Sequence, residues 1–291
     1  MLELLRNGQM GKNLNAGPLL YLAQEILITI PFLAPVWIIG LVCLVRAPQF
    51  RFLGFAYIIL IAEMIAFHGK HYYPANIYPV MIAGGAVPIE AWTRRLCALR
   101  AGTLAYAVIF GIAFLPFSLP VLPEKTFIAY AAKVGDILHI PRSTLATERL
   151  REGSALPGDY ADMHGWPELA QIVEFIYDSL TPEERARTSI IASNYGEAAA
   201  IDFFGSGHGL PPVLSRHNQY FLWGTHGQSG DIVIDVNGTC GGSAHIFDEV
   251  NRAATFSAPY AIAYEDHIPI SLCRGIRQPL AQLWPRLKLY I

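Results

Sequence analysis

The sequence predicts an α-helical membrane bundle of about four spans followed by an extracytoplasmic α/β domain, and three observations predict it. Of the 291 residues, 53% are apolar and 15% charged, with a mean hydropathy of +0.35, which is more apolar than an average soluble domain of this size. Charge divides the chain at Leu122. The first 122 residues hold eight Lys and Arg against four Glu, and the remaining 169 hold thirteen against nineteen Asp and Glu. From Pro123 onward, short apolar runs alternate with helical patterns, as in an α/β domain. A net charge of −2 without a long basic run excludes nucleic acid as a partner.

In residues 1–122, four apolar stretches are the expected spans, since a bilayer core takes about 20 apolar residues per helix. The first, 26–45, contains Pro31 and Pro35, which membrane helices tolerate when neighbours satisfy the freed carbonyls. The second and third, 52–67 and 78–92, are short enough to include a re-entrant segment. The fourth is 101–122. Arg46 and Arg51 follow the first span, and Arg94, Arg95 and Arg100 follow the third, so the positive-inside rule makes those loops cytoplasmic. Lys70 and residues 123–291 then face outward. Arg6 and Lys12 oppose this orientation, and residues 1–16 have no signal-peptide core, which suits a piece of a longer protein.

In residues 123–291, Trp166–Leu180 has helical spacing with Pro167 and Glu168 in its first turn. Thr188–Ser193 reads as a strand, followed by a helix in which Asn194 and Glu197 have capping-box spacing. Further strands are expected at Pro212–Ser215, Asp231–Val236 and Ile268–Cys273, and helices at His245–Arg252 and Pro279–Trp284. Cys240 and Cys273 share this half; a disulfide is permitted outside the cytoplasm, with two free thiols the ordinary alternative. No CxxC or HExxH occurs, and His208, His217, His226 and His245 lack a metal-ligand spacing. Asn237-Gly238-Thr239 is a formal glycosylation sequon of little weight. Trp166, Trp223 and Trp284 have packing as their ordinary role and sugar stacking as the alternative.

The segment HGKHYYPANIYPVMIAGGA concentrates Lys70, His71, Tyr72 and Tyr73 at the mouth of the expected bundle. A lysine ammonium and an imidazole suit a lipid-linked phosphate at headgroup depth. The ordinary alternative is a snorkelling lysine within an aromatic belt. Asn194, Tyr195 and Glu197, at a strand-to-helix turn, are candidates for contact with an anionic or sugar ligand, or else form only a well-capped junction.

GKHYYPANIYPVMIAGGAVPIEAW resembles a recurring segment of the bacterial integral-membrane glycosyltransferases of family 39, a group related to protein O-mannosyltransferases and lipid A aminoarabinose transferase. LLRNGQMGKN, PVWIIGLVCL, SIIASNYGEAAAIDFFG, LPPVLSRHNQYFLWG and ISLCRGIRQPLAQLWPRLK extend the resemblance over most of the chain. It implies a GT-C transferase using a polyprenyl-phosphate-linked sugar donor at the outer face of the bacterial inner membrane. The family's acidic pair in an early outward loop has no counterpart here: residues 1–122 hold no Asp, and Glu3, Glu25, Glu63 and Glu90 form no such pair. The resemblance therefore implies the C-terminal portion of a transferase, inactive alone and lacking an N-terminal catalytic half. No cofactor is expected in this chain, and a divalent metal is left open for the complete enzyme. Two rivals remain: a split transferase, and a non-enzymatic membrane protein with an external ligand-binding or scaffolding domain.

Overall fold

A computed structural model describes residues 17–29, 31–139, 155–238, 240 and 246–290. The chain divides into a helical unit within Lys12–Arg149 and an α/β unit within Leu150–Ile291.

The helical unit contains α1 (Pro18–Ile28), α2 (Ala34–Arg46), α3 (Arg51–Ala66), α4 (Tyr78–Thr93), α5 (Cys97–Ser118) and α6 (Glu124–Leu138). The four-span bundle expected above is corrected here. Among the described residues, only α5, at 22 residues, is long and apolar enough to cross a membrane. At 1.5 Å per residue, α2 extends roughly 20 Å and α3 and α4 roughly 24 Å, short of a core about 30 Å thick. The expected span 26–45 is broken in two: α1 ends at Ile28, a 3-10 turn occupies Pro31–Leu33, and α2 starts at Ala34. Proline supplies no amide hydrogen and disfavours helix at the residue before it, so Pro31 and Pro35 divide the run rather than kink it. The core of this unit joins Tyr21, Trp37, Leu44, Tyr57, Ile61, Tyr78 and Met81. Helices α2 and α4 approach closely because Gly40 and Gly85 leave room for the opposite backbone.

The α/β unit is built from α7 (Trp166–Asp178), β1 (Thr188–Ala192), α8 (Tyr195–Phe204), β2 (Leu214–Ser215), α9 (Asn218–Trp223), β3 (Ile232–Val236), β4 (Phe247–Phe256), β5 (Ile268–Ile276) and α10 (Leu280–Leu283). The strand order is β2-β1-β3-β5-β4, with β1 parallel to β2 and β3, and β5 antiparallel to β3 and β4. Side chains alternate between the faces. Ile190, Ala192, Ile234, Val236 and Ile270 pack with Leu169, Val173 and Ile176 of α7 and with Ala198 and Ile201 of α8. Val233, Cys240, Phe247 and Cys273 form a separate cluster, and Leu214, Leu280 and Trp284 another.

Two further expectations change. The helix expected at His245–Arg252 is strand β4 where it is described, residues 241–245 lying outside the described residues. Its middle is exposed on both faces and only Phe247 and Phe256 are buried, so hydrophobic periodicity carried no strand signal there. Cys240 and Cys273 form a disulfide instead of remaining free thiols. Cys43 and Cys97 are free.

Candidate functional sites

Each unit holds one cluster of chemically capable residues. In the helical unit, the loop between α3 and α4 turns at His68, whose φ of 52° is left-handed, and continues as a 3-10 turn over Tyr73–Ile77. The Tyr73 amide donates to the Lys70 carbonyl at 3.1 Å. The Tyr21 hydroxyl, from α1, donates to the same carbonyl at 3.4 Å. The Lys70 ammonium stands 5.6 Å from the centre of the Tyr72 ring, within cation–π range. Tyr72 lies edge-on to both His71 and Tyr73, at 5.8 and 5.1 Å. The four residues expected from sequence thus form one loop, with Lys70 and His71 half-buried and Tyr72 and Tyr73 exposed.

One turn beyond Tyr21, Glu25 is 1% exposed and accepts a hydrogen bond from the Tyr78 hydroxyl at the start of α4. Tyr78 and Tyr57 hydroxyls meet at 3.2 Å, and the Trp37 ring packs on both rings. Burying a carboxyl among aromatic side chains is costly without such partners. The Lys70–Ile77 loop is therefore fastened to α1 at two places, near its start through Tyr21 and just past its end through Tyr78 and Glu25. Sequence reading did not select Glu25. Its available signal was a lone carboxyl within an apolar run.

In the α/β unit, Asn194 leaves β1 and caps α8. Its Oδ1 accepts from the amides of Gly196 and Glu197 at 2.8 and 3.0 Å. Glu197 reaches back, its Oε2 accepting from the Ser193 and Asn194 amides at 2.9 and 3.2 Å. This reciprocal capping box satisfies amides that the first helical turn leaves free. Two partners arrive from distant segments. Asn237, which follows β3 with a φ of 58°, donates its side-chain amide to Glu197 Oε1 at 2.7 Å. Asn194 donates its own to Glu265 Oε1 at 2.8 Å. Tyr195 turns outward, half exposed, with its ring 4.8 Å from that of His217.

Glu197 is fully buried and Glu265 is 4% exposed. Burial raises the proton affinity of both, and their mutual repulsion raises that of Glu265 further. Asp235 is pushed up to about 6, first by burial, although the Cys240 amide and Arg216 act against the shift. The cluster sits at the carboxyl ends of β1 and β3, from which the chain leaves toward opposite edges of the sheet; open α/β sheets characteristically place ligand crevices there. Of the residues expected here, Asn194 and Glu197 are brought together and Tyr195 is left at the rim. Glu265, Asn237 and Asp235 were not foreseen; the two asparagines and Glu265 are joined only by the tertiary fold.

Among the described residues, no group of three His, Cys, Asp or Glu side chains is arranged to hold a metal ion. His208 pairs with Glu174 instead. Trp284 is buried, donates to the Phe221 carbonyl at 3.0 Å and stacks on the Phe221 ring; Trp223 is exposed against Tyr220. The sequon ends at Thr239, outside the described residues. The chain matches no protein-family model, no curated protein and no solved structure.

Proposed function

We propose that the chain takes part in moving a sugar from a polyprenyl-phosphate-linked donor at a bacterial membrane, with Lys70 and His71 holding the donor phosphate. The observation that carries this reading is the fastening of the Lys70–Ile77 loop, through Tyr21 to the Lys70 carbonyl and through the Tyr78–Glu25 hydrogen bond, which fixes the backbone that carries a lysine and a histidine in succession. A donor of this kind leaves as a phosphate anion. A cation held beside the leaving oxygen stabilises charge that grows in the transition state, and a preset position avoids reorganising the site during reaction. In this reading Glu25 is a positioning residue that acts through Tyr78, while Tyr72 and Tyr73 rest at headgroup depth. Contact with lipid is supplied by α5, whose Leu104, Val108, Ile109 and Ile112 side chains are exposed.

The test uses the full chain in vesicles that contain polyprenyl phosphate, with lipid retention measured by photo-crosslinking. Lys70→Ala should weaken retention roughly tenfold to a hundredfold, the loss of one charge-assisted contact. Lys70→Arg should keep part of it, and Glu25→Gln should weaken it less than Lys70→Ala does. Equal retention by the parent and Lys70→Ala overturns the phosphate role.

A further inference from the structure

The polar groups around Glu197 and Glu265 leave one atom unaccounted for. Glu197 accepts from three donors, Ser193, Asn194 and Asn237. Glu265 Oε1 accepts from Asn194, but Glu265 Oε2, buried, has no hydrogen-bond donor among the described residues. The two carboxyl groups lie within hydrogen-bonding reach of each other. Two ionised carboxylates cannot share a dry site at that separation, whereas a carboxylic acid donating to a carboxylate satisfies both.

We infer that Glu197 and Glu265 share a single proton and form a latch that holds the Ala263–Glu265 turn against the first turn of α8, opening as the pH rises. Among the described residues, no cation acts on the pair. Asp162, from the segment before α7, adds negative potential at Glu265, and Asp235, within β3, is repelled by Glu197. Arg216 acts on Asp235, and the remaining partners, Asn194 and Asn237, are neutral. Removing the proton places two charges in contact inside the unit. Separation of the turn from α8 relieves that repulsion and admits water to the carboxyl ends of β1 and β3.

The sign follows from linkage. Glu265 is pushed up to about 9 when closed, from an ordinary value of 4.5, so the closed state holds a proton that the open state releases. Between those two values the opening equilibrium should therefore rise by up to about tenfold for each pH unit. The test follows hydrogen exchange of the backbone amides of residues 193–197 and 263–267 in the full chain, each rate divided by its intrinsic rate at that pH. The parent should show close to a tenfold rise in opening per unit between pH 6 and 9, and Glu265→Gln, which keeps the acceptor for Asn194 and gains a fixed donor, should show none. The parent should also show an infrared carbonyl band of a protonated carboxyl at neutral pH that disappears above the transition. The same slope in parent and variant, or no such band in the parent, overturns the inference. The infrared measurement needs no variant, and absence of the band overturns the inference even if Glu265→Gln does not fold.

Discussion

Gly40 in α2 faces the Met81 carbonyl of α4 so closely that a Cβ on Gly40 would fall well inside contact distance of that oxygen, and Gly85 stands in the same relation to the Val36 carbonyl. Backbone has no rotamer with which to yield. Gly40→Ala should therefore separate the two helices and destabilise the helical unit by about 1–3 kcal/mol or more. Gly102→Ala in α5 meets nothing within 4 Å and should be neutral or stabilising by up to about 1 kcal/mol, since alanine is the better helix former. Thermal unfolding of the two variants side by side reads the difference.

Asn194→Ala removes the acceptor for two amides of α8 and the donor to Glu265 together. Loss of an N-cap alone costs about 1 kcal/mol, and orphaning a buried polar group adds about 1–3 kcal/mol. Denaturant midpoints should show the larger total, and Tyr195→Ala, at an exposed position one residue on, should move the midpoint far less.

The disulfide gives a direct chemical expectation. With a sequence separation of 33 residues, loop closure should contribute roughly 3–4 kcal/mol to the α/β unit. Alkylation of the unreduced, denatured chain should label two of the four cysteines, Cys43 and Cys97, and prior reduction should expose all four to label. A Cys240→Ala, Cys273→Ala double variant should unfold at lower denaturant than the parent.

Asp235 predicts a second pH effect. Because burial raises its value from 3.8 to about 6, the folded chain holds a proton that the unfolded chain releases between those limits. Its contribution to stability is fully present below pH 3.8 and falls as pH rises through about 6. Asp235→Asn retains an acceptor for the Cys240 amide and should remove this portion of the fall. Comparison of urea midpoints for parent and variant from pH 4 to pH 7 isolates it from the Glu197–Glu265 pair.

Much of the α/β unit was legible because its signals are local. The expected helix 166–180 is α7, with Leu169, Val173 and Ile176 recurring at helical spacing, and the expected strands at 188–193, 231–236 and 268–273 overlap β1, β3 and β5. The Asn194–Glu197 capping box could be read from a three-residue spacing. What could not be read depends on distance along the chain or on competition between forces. Asn194 meets Glu265 across 71 residues, and no local pattern announces that contact. In the helical unit, composition indicated lipid-compatible helices, but Pro31 and Pro35, four positions apart, broke the first apolar run into a turn and a short α2. Glu25 is the counterpart of Glu265 there: a carboxyl whose meaning lies in tyrosines brought from other helices.

The two margins of the sheet have different designs with one consequence. On one side β2 is two residues long, too short to template another chain. On the other, β4 is ten residues long and would otherwise offer an open ladder, but it presents Asp248, Glu249 and Arg252 and has an irregular register between Arg252 and Ala254. Charge and a local bulge are recognised guards against edge-to-edge pairing. Removing these guards, as in Asp248→Val with Glu249→Thr, gives up only the exposed pairs Asp248–Arg277 and Glu249–Asn251 while opening a path to fibril-like self-assembly, so these residues serve solubility as well as the finished structure.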